Sequence, residues 1–290
     1  MKKWTAVLIL FLMMVVFPIS ASEQGRIVEG LVMQSGILPY EVQYCLYLPP
    51  DYDSSSRRYP VVYLLHGYSD QEWGWVQFGE IKEAADRAIS AREIPPLIIV
   101  MPDGKVSFYI NDYLGKERYE DMLIEEFIPH VDKSLRTRPQ QEFRGIAGLS
   151  MGGYGALTLS MRHTDIFSGC AAFSAAIWEN EDIAEPEGYN RFFKNIFGPL
   201  TEGRLPDHFK ANNPLDIVQT VPVKVLNKAR YYIDCGDDDF LIAGNCALHL
   251  MMKKKEIPHE FRVRDGGHSW IYWRTGIIDG LKFIAQRFHR

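Results

Sequence analysis

Several features that would settle a protein's class are missing from this chain. Its 290 residues contain no basic run and carry a formal net charge of -5, which argues against a nucleic-acid partner. There is no C-x-x-C and no His/Cys cluster at zinc spacing, so no metal site is expected. Cysteines are few and widely spaced: Cys45, Cys170, Cys235 and Cys246. An oxidising compartment would permit a disulfide, but the sequence does not choose among the pairings. Three of the four lie in strand-like apolar runs, where free buried thiols are equally expected. Repeats and low-complexity tracts are absent as well, which favours one domain over residues 23–290.

Long apolar runs are scarce too. The one at the N-terminus, from Ala6 to Phe17, is too short to span a bilayer comfortably. Lys2 and Lys3 precede it and the small residues Ser20, Ala21 and Ser22 follow. That order predicts a secretory signal peptide over residues 1–22, cleaved near Ser22, with an uncleaved membrane anchor as the alternative. The mature chain is then expected in the periplasm or outside the cell, with no membrane association.

What is present suits a large globular core, with 47% hydrophobic and 24% charged residues. Residues 26–33 and 41–48 read as two leading strands joined by a turn near Ser35-Gly36, the second alternating at Val42, Tyr44, Leu46 and Leu48. Runs at 61–65, 97–101, 143–147, 169–173, 230–235 and 259–264 read as further strands, several of them apolar throughout, as strands covered on both faces are. Helical patterns lie between them at 81–92, 117–135 (kinked at Pro129), 153–162, 241–255 and 276–288. This alternation predicts an α/β fold: a mostly parallel sheet with helices on both faces and an antiparallel leading edge. Residues 177–222 break the rhythm with Trp178, Tyr189, Phe192, Phe193, Phe197 and Phe209. An insertion there lies at the carboxyl end of the sheet and reads as a cap over the ligand site, or as a small core that its own aromatics pack.

The stretch from Gly145 to Leu157 organises the rest. Gly148-Leu-Ser150-Met-Gly152 fits G-x-S-x-G, a serine on a strained turn between a strand and a helix. A serine hydroxyl at neutral pH needs a base, and the base needs a group that fixes its tautomer. In elbow enzymes the order is Ser, acid, His. Here the loops after the last two strands hold Asp237-Asp-Asp239 and a lone His268 between glycines and Ser269. His268 is the expected base, whereas three consecutive carboxylates leave the acid open. The second oxyanion amide comes from the loop after an early strand, here His66-Gly67-Tyr68, so the backbone N–H groups of Tyr68 and Met151 are the candidates. His66 itself is expected to shape that loop. Trp75, Trp178 and Trp270, with Trp73 and Trp273 nearby, are candidate substrate contacts and equally candidate packing residues.

The motifs Leu64-Leu-His-Gly-Tyr68, Met101-Pro-Asp-Gly104, Gly148-Leu-Ser-Met-Gly-Gly153, Cys235-Gly-Asp-Asp-Asp-Phe-Leu241 and Gly267-His-Ser-Trp270 occur in order along the mature chain. Together they resemble the esterase D group of α/β hydrolases, which includes feruloyl and acetyl xylan esterases of carbohydrate esterase family 1. S-formylglutathione hydrolases and mycolyltransferases are similar. The resemblance implies an α/β-hydrolase fold, a catalytic Ser150, Asp239 and His268, and no cofactor or metal. It also implies an exported carboxylic-ester hydrolase acting through an acyl-enzyme on feruloyl or acetyl esters of plant polysaccharides or oligosaccharides. The alternatives are an acyltransferase, a general short-chain esterase or thioesterase, and a binding protein without activity. In place of further small residues after His66-Gly67, this chain has Tyr68-Ser-Asp-Gln-Glu-Trp73, which makes its oxyanion loop distinctive.

Overall fold

A computed structural model describes residues 24–179, 183 and 186–288; the expected signal peptide lies outside the described residues. The strands are β1 (Arg26–Met33), β2 (Val42–Leu48), β3 (Val61–Leu65), β4 (Ile98–Pro102), β5 (Arg144–Leu149), β6 (Gly169–Phe173), β7 (Arg230–Gly236) and β8 (His259–Arg264). They form one sheet in the order β1-β2-β4-β3-β5-β6-β7-β8. β2 pairs antiparallel with both β1 and β4, and every pairing from β4 to β8 is parallel.

β3 shows why the middle of this sheet reads as unbroken apolar sequence. Val61, Tyr63 and Leu65 face one core, Val62 and Leu64 the other, and all five are fully buried. A strand with helices on both faces has no solvent side, so polar alternation would leave side chains stranded. One core lies under α2 (Ile81–Ser90) and α12 (Trp270–Ala285). The other lies under α5 (Met151–Arg162) and α11 (Ile242–Lys254). A short α1 (Gly74–Gln77) precedes α2, and no helix among the described residues is long and apolar enough to cross a membrane.

Two elements differ from the sequence reading. The helix expected over 117–135, kinked at Pro129, is α3 (Tyr119–Met122), a π turn (Leu123–Phe127) and α4 (Ile128–Ser134). Proline lacks an N–H to donate, and the widened turn just before it takes up the resulting misfit. The last helix starts at Trp270, six residues ahead of the expected Gly276, because the Ser269 side chain caps it by accepting from Tyr272 N.

The described residues of the segment expected to be a cap, 177–222, hold the short helices α6 (Pro186–Phe192), α7 (Lys194–Phe197), α8 (Asp207–Asn212) and α9 (Pro214–Thr220), and α10 (Val223–Leu226) follows directly. Successive strands step from β3 to β4 on one side and to β5 on the other. The crevice between the carboxyl ends of β3 and β5 is therefore the switch point where open α/β sheets bind ligands.

Candidate active site

Ser150 occupies that switch point. It joins β5 to α5 with φ 53° and ψ -117°, a conformation that costs a side-chain-bearing residue about 1–3 kcal/mol. Neighbouring strands hold the turn in place. Ser150 N donates to Phe173 O at 2.9 Å, and Ser150 O accepts from Tyr154 N and Ala176 N, both at 3.0 Å. The flanking glycines are required by close approach: a Cβ on Gly148 would lie 2.3 Å from Gly152 O, and one on Gly152 would lie 2.5 Å from Leu65 O.

The loops after β7 and β8 bring the other two groups to the serine. His268 Nε2 lies 3.0 Å from Ser150 Oγ, and His268 Nδ1 lies 2.9 Å and 3.1 Å from the two oxygens of Asp239. With a carboxylate at Nδ1, that nitrogen carries the proton and Nε2 is left to accept from the hydroxyl. Burial alone would raise the Asp239 pKa. Hydrogen bonds from His268, the Ser174 side chain and the Leu241 amide outweigh it and hold the carboxyl below its usual range.

The neighbouring acids have other partners. Asp237 accepts from the amides of Asp238 and Gly266 and so ties the two loops together. Asp237, Asp238 and Asp265 lie within 4.8 Å of one another, all exposed, and are the described acids close enough to share a cation. Trp273 packs edge-on to the His268 ring at 4.8 Å and donates through Nε1 to Ser174 Oγ at 3.0 Å. Ser174 thereby links Trp273 to Asp239. The sequence reading missed it, although its place one residue past β6, at the carboxyl end of the sheet, was a usable signal.

A cleft of about 380 Å³ opens at Ser150, lined by Tyr68, Met151, Trp178, Phe193, Phe240 and Phe108 among others. Both oxyanion candidates, Tyr68 and Met151, border it. His66 lies behind it, buried, with Nδ1 2.8 Å from Gly67 O while Nε2 accepts from Gly104 N at 2.8 Å. Its contacts shape the loop, as the sequence reading expected.

Of the three tryptophan candidates, Trp178 alone lines the cleft, and two need correction. Trp75 is fully buried in the opposite core, donating Nε1 to Leu65 O at 3.0 Å. Trp270, at the start of α12, packs edge-on against Trp75 at 5.2 Å and Trp273 at 5.5 Å. Both serve packing because α1 and α12 turn these rings toward each other. Phe108, which the sequence reading passed over, lies on the loop after β4 and borders the cleft.

A sheet of this order, with an elbow serine at its switch point and a histidine and a carboxylate delivered by the last two strands, is the architecture of the α/β hydrolases. Within that class the chain belongs to the Esterase family, whose model matches residues 35–284, and it is a carboxylic-ester hydrolase. It is 28% identical over 240 residues to an acetyl esterase of Caldicellulosiruptor saccharolyticus, covering 81% of this chain and 86% of the relative. It is 32% identical over 155 residues to an endo-1,4-beta-xylanase/feruloyl esterase of Xylanibacter ruminicola, 51% of this chain and 21% of that longer protein. A solved ferulic acid esterase superposes with a TM-score of 0.77 at 31% identity, covering 91% of this chain and 99% of the other.

Proposed function

We propose that this is an exported serine esterase that forms an acyl-enzyme on Ser150 and hydrolyses feruloyl or acetyl esters of plant polysaccharides or their oligosaccharides. The observation that carries the reading is the hydrogen-bonded series Ser150, His268, Asp239 at the foot of an aromatic cleft. Ser150 Oγ attacks the ester carbonyl while His268 Nε2 takes its proton. Asp239 keeps the imidazole in the accepting tautomer and stabilises its charged form. The oxyanion is held by the amides of Tyr68 and Met151, the latter in the first turn of α5, where a backbone N–H has no acceptor within the helix. His268 then protonates the leaving alcohol. Water repeats the sequence on the acyl-enzyme, releasing the acid and freeing Ser150.

The lining of the cleft favours an aromatic acyl group. Trp178, Phe193 and Phe108 offer ring faces and edges, which an acetyl group would leave largely uncovered. Similarity to a ferulic acid esterase and to a xylanase/feruloyl esterase points the same way.

The test assays the chain from residue 23 on methyl ferulate, a short acetyl ester and acetylated xylan, beside Ser150→Ala. Methyl ferulate should be preferred, and the variant should lose on the order of 10⁴-fold or more in kcat. Preference for acetyl esters would replace the acyl assignment, and full activity in Ser150→Ala would refute the mechanism. Export is checked by N-terminal sequencing of the secreted or periplasmic protein, with a mature end near Ser22 expected.

A further inference from the structure

The acyl half of the ester has a cleft; the alcohol half needs a surface of its own, and the fold offers one beside the base. We propose that Phe240 is the platform for the alcohol half and that the alcohol it selects is a neutral, ring-shaped polyol such as a sugar. This inference rests on the serine-esterase reading above.

The leaving oxygen must come within hydrogen-bond reach of His268 Nε2 to be protonated, so the rest of the alcohol lies against whatever surrounds that imidazole. Two rings flank it. Trp273, edge-on at 4.8 Å, is buried and occupied by Ser174. Phe240, tilted 50° at 4.7 Å, is 72% exposed and borders the same cleft as Ser150. A large apolar ring held in water next to a catalytic base gives the fold little burial. It does offer a face on which the C–H side of a sugar ring can stack.

Charge narrows the alcohol further. Phe240 directly follows Asp239 on the loop that also carries the exposed Asp237 and Asp238, and the carboxylate of Asp265 lies within 4.8 Å of both of these. Three exposed carboxylates on the loops that carry Asp239 and His268 disfavour an anionic leaving group, such as a carboxylate-bearing thiol.

The experiment uses pairs of esters that share an acyl group and differ in the alcohol: methyl ferulate with a feruloylated arabinose, and a methyl with a sugar acetate. Wild type, Phe240→Ala and Phe240→Trp are compared by kcat/KM across pH, with Ser150→Ala as the control for the underlying mechanism. In Phe240→Ala the ratio of sugar ester to methyl ester should fall about fivefold to tenfold. Phe240→Trp should restore that ratio, and the acid limb of the pH profile should stay in place. An equal loss on both members of a pair with a displaced acid limb would mean that Phe240 only props His268. An unchanged ratio would equally overturn the inference. Activity surviving in Ser150→Ala would instead refute the esterase mechanism beneath it.

Discussion

Three consecutive aspartates differ here only in where the turn points them. Asp239 faces His268, Asp237 is spent on two loop amides, and Asp238 is exposed. Asp239→Asn should keep the fold and lower kcat about 10⁴-fold, because an amide at this position can donate to the imidazole and favour the wrong tautomer. The same carboxyl carries a pH signature. The fold holds it below its ordinary value of 3.8, so it adds stability that is complete above that value and is lost as pH falls through the folded one. Urea midpoints measured between about pH 5 and pH 3 should therefore fall more steeply for the wild type than for Asp239→Asn. An identical slope would show that the acid contributes nothing beyond its neighbours. Residue types and order marked Ser150 and His268 in the sequence. Spacing in a resemblance, and not chemistry, singled out Asp239, since adjacent carboxylates are chemically alike until the backbone is known.

Among the elements, the turn from β5 into α5 tolerates the least change. Ala at Gly152 would drive a Cβ to 2.5 Å from Leu65 O and 2.6 Å from His66 O, both backbone atoms where β3 runs into the His66-Gly67-Tyr68 loop. Backbone cannot swing aside as a side-chain tip can, so Gly152→Ala should cost about 3 kcal/mol or more in urea unfolding. Activity should fall with it, because the two strands that carry Tyr68 and Ser150 would be pushed apart. A soluble, fully active Gly152→Ala would contradict this packing. The strands were legible because burial on two faces writes a continuous apolar run. Helix starts were less so. Gly276 looked like a boundary from propensity, yet it lies inside α12, where a Cβ would meet the Arg264 guanidinium at 2.2 Å. Tertiary approach selected that glycine, and a single sequence does not distinguish this from a chain break.

At the scale of the molecule, the question is what seats Trp178 and the short helices α6 and α7 on the sheet so that a cleft forms at Ser150. Phe108 is the common contact. It sits on the loop after β4, 2% exposed, and its ring meets Tyr154 of α5 at 5.4 Å, Phe193 at 5.6 Å, Phe197 of α7 at 5.5 Å and Tyr68 at 6.2 Å. Its backbone is held at φ 54°, followed by Tyr109 at φ 59°, two left-handed residues in succession that neither side chain favours. The ring contacts must outweigh that strain, which ties the loop conformation to the seating of the cap. Phe108→Ala removes the contacts and keeps the strain, so it should cost about 3–5 kcal/mol. Phe108→Gly relieves the strain at the same loss of ring and should be the less destabilised of the two. Both should raise KM for methyl ferulate more than for a short acetyl ester, since the wall they remove is the one an aromatic acyl group would touch. Urea unfolding and steady-state kinetics on the two variants separate these effects. If Phe108→Gly were no more stable than Phe108→Ala, the backbone would carry no strain there. Equal changes in KM for both esters would place the acyl group away from Phe108.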